Sequence, residues 1–226
     1  PPARGEDCAG LTPEPADLDA IRKCRPGGCD VKVARWAMDR IGRELNWSAP
    51  EAKARATAVL KQMLVDYAAA YMAGGTPQMA TYHDKERPLD TPTEFRKVLA
   101  ASPYLFEQVP EFSRYLEAYP RGELSGAENL FYWTKDSFGP KPTVAMYHVT
   151  LWKEAKNPTR AVIASKQMYA SHYFQAGLEL IALVDAPGRK GFYLMDLYRA
   201  RVDPPTGLLS GVLSVAGGFL AGFGDG

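Results

Sequence analysis

From residue 161 to residue 184 the chain runs for 24 residues without a proline, and side-chain character alternates along it. Ser165, Gln167, Tyr169, Ser171, Tyr173 and Gln175 fall on one parity, and Ala164, Met168, Ala170, His172, Phe174 and Ala176 on the other. A period of two belongs to extended backbone, whose successive side chains point to opposite faces. Gly177 marks a bend or bulge, so the run is either one long bent strand or a pair. Residues 143–152 are dense in β-branched and aromatic side chains after Gly139-Pro140-Lys141-Pro142, and residues 191–202 alternate again. Asp185-Ala186-Pro187-Gly188 is a turn between strands. Strands that follow one another without helices imply an antiparallel meander.

The first 120 residues have a different rhythm. Residues 1–14 are rich in Pro and Gly and are expected to form a loosely ordered arm. Pro15-Ala16-Asp17-Leu18 starts a short helix reaching Cys24, with Pro at a tolerated first-turn position. Residues 31–45 carry Val33, Trp36, Ala37, Ile41 and Leu45 at helical spacing. Ser48-Ala49-Pro50-Glu51 opens a longer helix, which places Val59, Leu60, Met63, Leu64, Tyr67 and Tyr71 on one stripe and stops at Gly74-Gly75. Thr91-Pro92-Thr93-Glu94 and Pro110-Glu111 open two more, and residues 76–90 are read as a loop.

The fold expected is therefore α+β, one domain over residues 1–226. A helical part over 15–120 packs on an antiparallel sheet that occupies, with a closing segment, residues 140–223. The closing segment, 207–223, is 17 residues long, uncharged, and contains five glycines. A membrane-spanning helix needs about 20 apolar residues. Two readings stay open: a segment laid on the sheet, or a peripheral contact with a membrane surface that lacks the usual Lys/Arg face.

Lys and Arg total 27 against 26 Asp and Glu, a net charge of +1. No basic cluster suggests a nucleic-acid partner. The cysteines, Cys8, Cys24 and Cys29, all lie within the first 29 residues. That confinement, with a chain opening on Pro1-Pro2-Ala3-Arg4, points to an exported protein, periplasmic or extracellular, whose leader has been removed. The turn sequence Cys24-Arg-Pro-Gly-Gly-Cys29 suits a disulfide, although spacing also allows Cys8 to pair with either thiol.

His83, His148 and His172 show no metal-ligand spacing, and no metal or cofactor is expected. Serine-hydrolase elbows, phosphate loops and dinucleotide fingerprints are missing as motifs. The candidate ligand wall is on the strands: Tyr169 and Tyr173 offer apolar area plus a hydroxyl, with His172, Asp196 and Tyr198 nearby in pattern. Arg199 and Arg201 share the other parity of the last strand, where a guanidinium fork suits an anionic group. Asp196 sits among Phe192, Leu194 and Tyr198, a desolvating setting for a carboxylate. The loop Tyr82-His83-Asp84-Lys85 is a polar cluster at a candidate site edge.

The order of long strands and a closing apolar segment over 140–223 is similar to that of helix-grip lipid-binding domains of the START group. The resemblance implies a hollow between sheet and helices. Three functions follow as expectations: an exported binding protein for an apolar or amphipathic small molecule or lipid; a hydrolase or isomerase using His148 or His172 with Asp196; or an interaction module of the cell envelope.

Overall fold

The structure, a computed structural model, describes residues 10–137, 140–154, 160–186, 188 and 190–204. Cys8, most of the N-terminal arm and the apolar segment 207–223 lie outside the described residues. The α+β expectation holds. Helices α1 (Pro15–Lys23), α2 (Arg35–Glu44) and α3 (Ala52–Gly74) come first. A small hairpin of β1 (Thr81–Tyr82) and β2 (Leu89–Asp90) leads to α4 (Thr91–Ala100), α5 (Pro103–Gln108) and α6 (Pro110–Ala118). Five strands complete the described chain: β3 (Ala127–Asp136), β4 (Thr143–Lys153), β5 (Arg160–Ala170), β6 (Phe174–Asp185) and β7 (Phe192–Val202). They pair antiparallel in sequence order, β3-β4-β5-β6-β7, a plain meander. The sheet begins earlier than residue 140, because β3 adds an edge strand whose mixed sequence hides its alternation. Residues 81–82 and 89–90 also pair within what reads as a loop.

Local chemistry explains most element boundaries. Asp90 caps α4 by accepting from the Thr93 N–H, with Pro92 in the first turn. Helix α3 ends at Gly75, which has φ +68° and ψ −148°. That conformation belongs to glycine, and a Cβ there would lie 1.6 Å from the Tyr119 carbonyl oxygen. The helix end and the chain after α6 therefore meet in a way only glycine permits. No helix among the described residues is long and apolar enough to cross a membrane.

The helices cover one face of the sheet. Tyr71, Phe95, Phe112, Leu99, Leu116, Met168 and Leu178 are fully buried between the layers. Phe112 stacks on Trp152 of β4 with centroids 5.6 Å apart. Burying each such side chain contributes roughly 1.5–3 kcal/mol. No described helix covers the opposite face, where Leu130, Tyr132, Leu194 and Tyr198 stay exposed.

Two irregularities decide which residues face the helices. In the β4–β5 ladder Met146 opposes Tyr169 but Tyr147 opposes Gln167, so Met168 is an extra residue. A bulge of this kind reverses the alternation beyond it. Ser165 and Gln167 lie on the open face, whereas Tyr169 turns to the helices, against the parity expected for it. A second shift, between Phe174 and Ala176, follows the hairpin turn. At that turn Tyr173 adopts φ +59°. The 24-residue run is thus a hairpin of β5 and β6, and the irregularities fall at Met168 and Gln175 instead of Gly177.

Candidate functional site: an apolar cavity between helices and sheet

Helices α1, α2 and α3, the 31–34 segment and strands β4 and β5 surround a cavity of about 90 Å³. Ile21, Val33, Ala37, Leu60, Met63 and Val144 supply much of its apolar wall. Tyr67, Tyr82 and Tyr169 close one side as an edge-to-face trio: the Tyr169 centroid lies 6.2 Å from that of Tyr67 and 6.0 Å from that of Tyr82. Trp36 also lines the cavity and is 45 % exposed, so its indole stands where the cavity meets solvent.

The polar groups around this space are already engaged. The Tyr67 hydroxyl donates to the Met168 carbonyl at 2.7 Å and accepts from the Ala80 N–H. The Tyr82 hydroxyl accepts from the Ala170 N–H, and the Tyr169 hydroxyl donates to the Lys32 carbonyl. Ser171 Oγ accepts from the Val144 N–H at 3.0 Å. Lys32, almost fully buried, pairs with Asp203 at 2.7 Å and lies 5.4 Å over the Tyr82 ring. Asp17 of α1 meets His172 Nε2 at 3.0 Å. Burial raises the phenol pKa of Tyr67, Tyr82 and Tyr169 far above the usual value, which keeps all three neutral. What the cavity offers a guest is therefore hydrocarbon and ring faces.

The sequence candidates separate into three places. Tyr169 and Tyr82 line the cavity, and His172 touches it only through Asp17. Tyr173 lies away from it: its hydroxyl accepts from the Lys141 N–H at 2.8 Å, and its ring packs with Ala145 and Phe174 on the open face. Asp196 and Tyr198 also belong to the open face, where Asp196 opposes Ile181 across the β6–β7 ladder. Asp196 is exposed because β7 is an edge strand without a covering layer among the described residues, so the desolvated setting expected from its neighbours does not arise. Arg199 points to the helix side and donates from Nε to the Tyr104 hydroxyl at 3.4 Å. Arg201 pairs there with Glu94.

Neither histidine meets Asp196. His148 lies on the helix face, with Nδ1 3.0 Å from the Tyr71 hydroxyl and Nε2 2.7 Å from Asn129 Oδ1. An amide oxygen only accepts, so Nε2 carries the proton and Tyr71 donates to Nδ1. Burial, aided by Lys166, lowers the His148 pKa to about 3 and keeps the ring neutral. The third histidine, His83, sets Nδ1 3.0 Å from the Thr81 carbonyl. Its own carbonyl and that of Asp84 accept from the Gly27 and Cys29 N–H groups, clamping the turn between the cysteines. The sulfurs of Cys24 and Cys29 lie at disulfide distance.

Lys166 was not singled out in the sequence. It occupies the apolar parity of β5 between Ala164 and Met168, and that lone cation in an apolar row was the available signal. Its Nζ donates to Thr76 Oγ1 at 2.6 Å and lies 4.0 Å over the Phe95 ring. Complete burial lowers its pKa to about 7. Among the described residues no group of three or more His, Cys, Asp or Glu is placed to hold a metal ion.

Family models, curated proteins and solved structures give no match to this chain.

Proposed function

We propose that the protein binds a small apolar molecule, or the apolar end of an amphipathic one, in the cavity between α1–α3 and strands β4–β5. The observation that carries this reading is the pairing of a hollow with satisfied polar groups. A guest there displaces no hydrogen bond and gains contact with Met63, Leu60 and the Tyr67–Tyr169 rings. Export is part of the proposal, supported by the Cys24–Cys29 pair at disulfide distance.

Thermal and urea unfolding in the presence of benzene, indole and 1-hexanol test it. A probe held at about one hundred times its dissociation constant adds roughly 2.7 kcal/mol of stability. Leu60→Trp places an indole in the hollow and abolishes that gain while the protein stays folded by circular dichroism. No stabilisation by any of the three probes, or an undiminished gain in Leu60→Trp, overturns the proposal.

A further inference from the structure

The face of the sheet that no described helix covers holds a second hollow, of about 270 Å³. Its position follows from the ladder. Tyr132 of β3 opposes Tyr147 of β4, and Glu179 of β6 opposes Tyr198 of β7. Opposed residues share a face, so these four side chains stand on the open side. Small residues make the floor. Ala145 lines the hollow, and at Gly177 a Cβ would come within 3.3 Å of the Tyr198 hydroxyl. Glycine at that point lets the Tyr198 ring lie over the sheet.

The lining is aromatic and acidic. Tyr132 and Tyr147 stack with centroids 5.0 Å apart, and Tyr198 and Phe174 add two more rings. Glu179 and Asp136 supply carboxylates, and among the described residues no lining residue is basic. Among the described residues neither carboxylate has a salt-bridge partner. Three of the sheet's cations turn to the other side: Lys135 reaches the Thr12 carbonyl and Glu14, Lys166 reaches Thr76, and Arg201 reaches Glu94. Lys153 stands on the open face but at the opposite end of β4 from Thr143, and it does not line the hollow. The Tyr198 ring is exposed at its edge, but its hydroxyl lies against the sheet at Gly177; desolvation there, then Tyr147 and Glu179, push the phenol up to about 12, so it stays neutral beside the carboxylate.

A further observation points to a guest. Thr143 lines the hollow and is only 2 % exposed, yet among the described residues its Oγ1 has no hydrogen-bond partner. A buried hydroxyl without a partner is costly, and an acceptor or donor arriving with a ligand relieves that cost.

We propose that this hollow is a binding site for a small organic cation, an alkyl- or arylammonium ion, held between the tyrosine rings and Glu179, with the Thr143 hydroxyl accepting a hydrogen bond from its N–H. Ring faces attract cations, most strongly where water is excluded, and an unpaired carboxylate beside them fixes the charge. The site is separate from the helix-side cavity, on the opposite face of the same sheet.

Two isosteric probes isolate the charge: 2-phenylethylammonium and 2-phenylethanol, titrated by calorimetry and by NMR at low salt. The ammonium is expected to bind about tenfold more tightly than the alcohol. Glu179→Gln removes that preference without weakening the alcohol, and Asp136→Asn, at an exposed position, reduces it. Tyr198→Ala weakens both probes, and Leu60→Trp on the other face changes neither. Equal affinity for the two probes, no saturable binding of the ammonium, or a preference that survives Glu179→Gln overturns the proposal.

Discussion

The two faces of the sheet are built to different rules. The helix-covered face is filled by Tyr71, Phe95, Phe112 and Met168, and around its cavity and sheet it pairs Asp17 with His172, Lys32 with Asp203, and His148 with Tyr71 and Asn129, while Ser113 Oγ in α6 stays without a partner among the described residues. The open face keeps Leu130, Leu194 and Tyr198 exposed and, among the described residues, leaves Thr143 Oγ1 unpaired. The two proposed sites on this sheet therefore rest on different chemistries. A cavity whose surrounding polar groups are satisfied has only apolar contact to give. The hollow on the open face offers stacked rings and two carboxylates without a salt-bridge partner among the described residues, the chemistry on which the proposed cation site rests.

The largest effect that would separate the two faces belongs to Gly75→Ala. Its Cβ meets the Tyr119 carbonyl oxygen at 1.6 Å, backbone against backbone, at a positive φ. Loss of at least about 3 kcal/mol in urea unfolding is expected. A loss below about 1 kcal/mol would mean that the helix layer is far more yielding than its packing implies.

Lys166→Met comes next, because it tests whether the covered face truly buries a bare amine. Folding lowers the Lys166 pKa from 10.5 to about 7. Between those values the unfolded chain holds a proton that the folded chain lacks, so this group makes stability rise with pH. Below about 7 its full penalty applies. Buried tyrosines act oppositely above about pH 10, where the unfolded chain gives up protons that the folded chain keeps. The methionine variant should unfold several degrees higher at pH 7 and lose the rise between neutral pH and about 10. An unchanged slope would show that the amine is solvated. His148 remains in both proteins. Its folded pKa of about 3 against an ordinary 6.5 makes stability fall as the pH drops through that window.

The smallest effect is expected at Leu194→Ser on the open face. Leu194 is 58 % exposed, and its replacement should change stability by no more than about 0.5 kcal/mol. A large loss would show that something covers this face in solution.

Alternation and caps made much of the architecture legible. The meander from residue 143 onward and the helices at Pro15, Thr91 and Pro110 stand where their start signals and periodicities put them. The capping pattern at Ser48 marks the approach to α3, but the regular helix begins at Ala52, and the Ser48 N–H instead donates to Asn46 Oδ1. Strand β3 escaped because Glu128, Asn129, Thr134 and Lys135 interrupt its apolar rhythm. Edge strands bury less, so their sequences carry less pattern.

The sites were less legible, for two physical reasons. A single extra residue, Met168, sends Tyr169 to the cavity while Ser165 and Gln167 stay outside, and no local composition announces such a bulge. Pairing across the sheet is also invisible in one chain of letters. Asp196 reads as buried from Phe192, Leu194 and Tyr198, all of which are themselves exposed. The partners His172 and Asp17 lie 155 residues apart, beyond any spacing rule.

Diffraction from crystals pressurised with xenon tests the helix-side cavity most directly, since dry apolar cavities take up that gas. A xenon peak among Met63, Leu60 and the Tyr67 and Tyr169 rings is the result expected. Side chains filling that space, with xenon absent from it at full pressure, would contradict the account.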